Sequence, residues 1–237
     1  MYNFNIIQII VIIILTIVIY INVINTNNKK TISKSLIIFW DIHCKLSIIK
    51  YLNNNDIDYQ IIDYRDDICI TLKVGNNFYC LMERHPQQYT NISILLNTII
   101  ILCNKLKINN IIGISTAGSE EYKIGDVLQF NSAYIQNYKE YSLDVDYIEA
   151  KDILYKTSNF IDKPINDTKG FIKPKKGESA SGEDEFVVYF ISNILKIPSL
   201  TLTGISDQNN SYQYNNGGGQ LAAENTVKFL YNNFNLL

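Results

Sequence analysis

From residue 35 onward, short apolar runs alternate with helix-periodic stretches. That alternation restricts the chain to an α/β fold with a mixed central sheet and helices on both faces. Residues 35–40 (SLIIFW) read as a buried strand and 45–52 as a helix. Residues 57–64, 68–74 and 78–83 read as strands, with Gly75, Asn76 and Asn77 forming the hairpin turn between the last two. Asn91 caps a helix that carries Ile92, Leu95, Leu96, Ile99, Cys103 and Leu106 on one face. Residues 110–115 and 125–130 are the next strands. Residues 131–180 are polar and rich in Tyr and Lys, and read mostly as loops with at least one further strand. Residues 183–195 are helical, 199–205 (SLTLTGI) form a buried strand, and a final helix places Ala223, Val227, Leu230 and Phe234 at 4-3-4 spacing. No internal repeat interrupts this order, so residues 35–237 read as one domain.

Ahead of the domain, residues 6–24 (IIQIIVIIILTIVIYINVI) form an apolar run with no charge before Lys29. About 19 residues of helix at 1.5 Å each span close to the ~30 Å hydrocarbon core of a bilayer. A cleaved signal peptide would want a basic start and a small-residue cleavage site, and neither is present. The expectation is a retained single-pass anchor over residues 1–28 and a linker over 29–34. Lys29, Lys30 and Lys34 follow the span, which puts the domain on the cytoplasmic side by the positive-inside tendency. The sequons at Asn91, Asn166 and Asn209 then read as accidents of an Asn-rich chain.

Net charge is −2 and no basic stripe is present, which argues against nucleic-acid binding. Cys44, Cys69, Cys80 and Cys103 are dispersed and His43 and His85 are the only histidines, so neither a metal site nor a cofactor is expected. G-x-G-x-x-G and P-loop patterns are absent. GESASG, at 177–182, misses the serine-hydrolase elbow.

In open α/β sheets, ligands bind beyond the carboxyl ends of strands. Three segments lie there. GISTAGS (113–119) has small residues that let backbone N–H groups approach an anion, with the Thr116 hydroxyl as a further donor. The strand over 78–83 runs into Arg84 and His85, a planar fork and an imidazole suited to phosphate or carboxylate. The strand over 199–205 ends in Ser206 and Asp207, a carboxylate placed to bind a heterocycle edge or pass a proton.

Taken together, these segments resemble the nucleoside phosphorylase and nucleosidase superfamily. ISTAGSEEYKIGDVLQF (114–130) is similar to its strand, small loop and "GDVV" element. LMERHPQQYT (81–90) resembles the "ARHG…H" stretch of trimeric phosphorylases, and IPSLTLTGISDQ (197–208) the nucleosidase segment ending in "AISD". The run Gly217, Gly218, Gly219 before the last helix also fits some members. The resemblance implies cleavage of the bond between a purine and its ribose through a cationic sugar captured by phosphate or water. It implies Asp207 as the acid at the base, and Arg84, His85 and Thr116 as the phosphate cradle, with inorganic phosphate a co-substrate if phosphorolysis applies. It further implies Asp184 on the ribose and Ser115, Ala117, Gly118 and Ser206 lining the substrate, with a small-molecule nucleoside and a homo-oligomer as partners.

Two departures mark the chain as divergent. Where family members carry a glycine or acidic loop after the first strand, FWDIHC (39–44) has no glycine and only Asp41, which is off register. The ribose-binding "ME" pair falls on Glu183 and Asp184, and Ser181 with Asp184 also makes a capping-box pattern. Tyr134, Tyr138 and Tyr141 are the rings available for stacking on the base. The alternative reading is a degenerate, non-catalytic member that binds a nucleoside or a protein partner at a membrane.

Overall fold

The computed structural model describes residues 30–65, 68–89, 92–135, 146–167, 179–182 and 184–236. The anchor expected over residues 6–24, the Asn91 cap, Glu183 and the rings of Tyr138 and Tyr141 lie outside them. Among the described residues no helix is long and apolar enough to cross a membrane.

Two strands carry the architecture. Strand β6 (Asn110–Gly118) and strand β12 (Ser199–Asp207) are buried at every position, as strands covered on both faces must be. They run parallel, with Ile112 beside Leu200, Thr116 beside Gly204 and Gly118 beside Asp207. On the other side of β6 lies β2 (Ser35–Phe39), also parallel, followed by β5 (Asn77–Met82), β4 (Cys69–Val74) and the edge strand β3 (Gln60–Arg65). The far wing is built from β11 (Ala180–Gly182), β10 (Ile165–Asp167), β8 (Ser132–Ile135) and β9 (Tyr147–Glu149), while β7 (Val127–Leu128) pairs with β12. A small separate pair joins β1 (Lys30–Thr31) to β13 (Phe234–Asn235).

Alternation along the strands sorts the core into two layers. Ile37, Phe39, Ile112, Ile114 and Leu202 point to the layer holding α1 (Ile42–Asn54) and α4 (Gly219–Asn233). Leu36, Ile38, Ile111 and Ile205 point to the other layer, under α2 (Ile92–Leu106) and α3 (Glu185–Leu195). A mixed sheet with helices on both faces is therefore what the chain adopts.

The differences from the sequence expectation cluster at strand ends. Strand β6 runs on to Gly118 and β12 to Asp207, because the small polar residues STAG pair with TGISD instead of leaving as a loop. Helix α1 starts earlier than residue 45 because Asp41, in an extended conformation, caps it by accepting from the His43 N–H at 2.5 Å. The polar stretch over 131–180 holds β8, β9, β10 and the start of β11, and the 125–130 strand shrinks to Val127–Leu128.

Close packing of α4 on β12 requires a glycine at residue 204, where a Cβ would lie 2.6 Å from the Ala222 carbonyl oxygen and the Thr226 Oγ1. A backbone oxygen cannot rotate aside. Gly204→Ala is expected to destabilise the protein by roughly 1–3 kcal/mol, read as a lower denaturation midpoint at unchanged m-value.

Candidate active site

The four parallel strands β5, β2, β6 and β12 all end on one edge of the sheet, and the site is assembled there. After β5, the chain bends through His85 into a short helical turn (Pro86–Gln88), fixed by the His85 N–H donating to Gln88 Oε1 at 2.9 Å. This sets the imidazole over the sheet edge. Its Nδ1 lies 3.3 Å from Asp184 Oδ1, and its Nε2 lies 3.8 Å from Asp41 Oδ2. Both carboxylates are only 1% exposed, so the ring is held between two negative groups that water barely reaches.

Asp41 is the hub of this arrangement. One oxygen caps α1, and the other accepts from Thr116 Oγ1 at 3.2 Å and from the Tyr214 hydroxyl. Tyr214 comes from the turn after β12 and meets the His43 ring edge-on, centroids 5.2 Å apart. Gly219 lies against both rings, and a Cβ there would fall 2.7 Å from His43 Cδ2.

Asp184 stands at the N-cap position of α3 but makes no side-chain capping bond. Ser181 lies in β11, not at a helix start, so the capping-box reading of these two residues does not hold. The Asp184 side chain faces His85 instead. The next residue, Glu185, is buried and accepts from Ser115 Oγ and from Thr203 Oγ1 at 2.5 Å. Ser115 is thus directed into the layer beneath α3. Beside Glu185 lies Asp167, which accepts from the Phe186 N–H. Burial, reinforced by the Glu185 charge, pushes the Asp167 carboxyl well above the usual carboxylate range.

Asp207 closes the other end of the edge. The Ser206 hydroxyl lies 2.7 Å from its Oδ2 and 3.1 Å from the Ala117 carbonyl, and the Asn210 N–H donates to Oδ1 at 2.8 Å. The strand itself brings Ala117 and Gly118 alongside, since Ser119 N–H donates to the Asp207 carbonyl at 2.9 Å. Arg84, by contrast, is exposed, and its charge is felt at Tyr89. The structure therefore gathers His85, Thr116, Asp184, Ser206 and Asp207 on one edge.

Sequence reasoning passed over Asp41 and Tyr214. The signal for Asp41 was available: a carboxylate between a buried strand and an amphipathic helix caps that helix and stands at the carboxyl edge whatever its alignment register. Nothing local marked Tyr214, in a chain with 17 tyrosines. Among the described residues no group of three or more His, Cys, Asp or Glu is arranged to hold a metal ion.

No family model matches the chain, and no curated protein matches it by sequence. Solved structures do. A mutant Helicobacter pylori 5'-methylthioadenosine nucleosidase with 5'-methylthioadenosine in its active site matches with a TM-score of 0.64 at 14% identity, covering 85% of this chain and 97% of that one. A mutant futalosine hydrolase from H. pylori strain 26695 matches at 0.63 and 13%, covering 85% and 98%. A putative 5'-methylthioadenosine/S-adenosylhomocysteine nucleosidase from Borrelia burgdorferi bound to adenine matches at 0.61 and 15%, covering 84% and 98%. At such identities the likeness concerns the fold, and the chain has the fold of the nucleosidases within the nucleoside phosphorylase and nucleosidase superfamily, as the sequence resemblance implied.

Proposed function

We propose that the chain hydrolyses the N-glycosidic bond of a purine nucleoside. The observation that carries this reading is the imidazole of His85 held between buried Asp41 and Asp184, with Asp207 at the end of the same sheet edge. Asp207 gives a proton to the leaving base at N7, so that the electron pair of the C1'–N9 bond departs onto a neutralised heterocycle. Asp184 accepts hydrogen bonds from the ribose hydroxyls. Buried carboxylates near the sugar favour the positive charge that grows on it as the bond lengthens. Asp41 takes a proton from the water that captures C1', and Thr116 and Tyr214 keep its reacting oxygen in place. A group placed in this way typically contributes 10²–10³ or more to the rate.

Water is favoured over phosphate for an electrostatic reason. Two residues of the proposed phosphate cradle, His85 and Thr116, already face the Asp41 carboxylate, and Arg84 is exposed. A phosphate dianion entering there would meet Asp41 and Asp184 with little solvent to screen the repulsion.

The deciding experiment offers adenosine, inosine and 5'-methylthioadenosine to the protein and follows release of free base with and without phosphate. Release at the same rate in both conditions is expected. Phosphate-dependent release would assign the phosphorylase instead. Tight nucleoside binding with no release would favour a non-catalytic binding module. Residues 6–24 are proposed to tether the domain to a membrane on its cytoplasmic side, which fractionation of the full chain against one starting at Lys34 would check.

A further inference from the structure

Asn166 is fully buried on β10, and neither its Oδ1 nor its Nδ2 has a hydrogen-bond partner among the described residues. A buried primary amide that bonds nothing is a net cost to folding, so its presence calls for a use. Its burial also disposes of the sequon reading, since a glycan needs an exposed asparagine.

Strand register shows where the amide lies. Asn166 is paired with Ser181 on β11 and with Tyr134 on β8, and Ser181 is paired with Gly118 on β6. Paired residues put their side chains on one face of a sheet. The missing side chain of Gly118 would point at Asp207: a Cβ there would fall 2.9 Å from Asp207 Oδ1 and 2.9 Å from Asn209 Oδ1. Asn209 Nδ2 is likewise buried with no partner among the described residues. One face of the sheet edge thus carries an acid at one end, a bare glycine floor beside it, and an amide two strands further on. From Gly118 to Asn166 is two strand spacings, about 10 Å, and because the Asp207 carboxyl reaches over Gly118 a purine and its hydrogen bonds bridge acid and amide. Beyond the amide, Tyr134 packs against Tyr147 with ring centroids 4.8 Å apart.

We infer that Asn166 is a specificity-determining residue that reads the nucleobase, giving one donor and one acceptor to the edge of the six-membered ring while Asp207 serves the N7 side. The inference rests on the nucleoside reading of the site and narrows it. The base class is a purine with adjacent donor and acceptor groups on the six-membered ring, as in adenine or hypoxanthine, because an amide offers both roles and can turn to match either. Gly118 belongs to the same device, as the floor over which a flat ring slides.

The test compares the wild-type full chain with Asn166→Leu and Asn166→Ser, measuring adenine and hypoxanthine affinity by calorimetry and ligand-free thermal stability. An amide paired to a base edge is typically worth roughly 10-fold or more in affinity. Asn166→Leu is expected to lose at least that factor for both bases while its Tm stays unchanged or rises, because the leucine removes a buried amide that has no partner among the described residues. Asn166→Ser is expected to show the same loss of affinity with a smaller change in packing. Either variant binding base as tightly as wild type would overturn the inference, as would a lowered Tm at unchanged affinity, the signature of a structural asparagine. A wild-type chain that binds neither base nor nucleoside would instead sink the proposed function itself.

Discussion

Asp41→Asn is expected to lower base release by roughly 10²–10⁴ while leaving the fold and its stability almost untouched. The substitution is unusually clean because Asp41 does two separable jobs. As a helix cap it needs only an acceptor oxygen for the His43 N–H, and asparagine serves as well as aspartate at that position. As the proposed base it must accept a proton, which an amide cannot do. With the amide oxygen on the His43 N–H, the amide nitrogen takes the place of the second carboxylate oxygen, and the Thr116 and Tyr214 hydroxyls turn to accept from it, so the surrounding packing persists. Asp41→Ala is the contrasting variant: it removes the cap as well, at a further cost of about 1 kcal/mol in stability. Steady-state kinetics on both variants, with denaturation midpoints, separates the two jobs. An Asp41→Asn protein that keeps more than a tenth of its activity would remove Asp41 from the chemistry and leave it a cap.

The same residue shows how far the chain could be read before its structure was seen. Strand and helix periodicity located the central layers well, because β6 and β12 are fully buried and their apolar residues run nearly unbroken. Asp207, Thr116 and His85 were legible as site candidates because each follows such a run, at the edge where ligands bind. Asp41 follows one too, at the end of β2, but motif register argued against it. Motif register is a property of alignment, whereas the carboxyl edge is a property of the sheet. Asp184 was legible by counting back from Asp207, yet its competing role as a cap failed because Ser181 is a strand residue. Asn166 and Tyr134 were illegible as a pair. Only the pairing of β8, β10 and β11 brings them to one face, and short strands in a polar stretch give periodicity nothing to work on.

Asp167→Asn is expected to stabilise the protein at neutral pH and to leave it little changed near pH 4. Burial and the neighbouring Glu185 raise the carboxyl of Asp167 in the folded state, whereas in the unfolded chain it titrates near 3.9. Between those two values the folded protein holds a proton that the unfolded chain has given up. By linkage, stability is then lost as pH rises, at up to about 1.4 kcal/mol per pH unit for one proton, until the folded-state value is passed. Below the unfolded value both states are protonated and the contribution of this group is complete. Asparagine mimics the protonated carboxyl: its oxygen still accepts from the Phe186 N–H, its amide nitrogen presents a donor to Glu185, and it has no proton to lose. The variant should therefore gain on wild type by a margin that widens from pH 4 upward, read from urea midpoints at matched m-values. A constant difference across that range, or a variant that loses stability at pH 7, would mean that Asp167 is ionised in the folded protein. The result bears on the site as well, because Asp167, Glu185 and Asp184 crowd the start of α3, where Glu185 holds Ser115 and Thr203 and Asp184 faces His85.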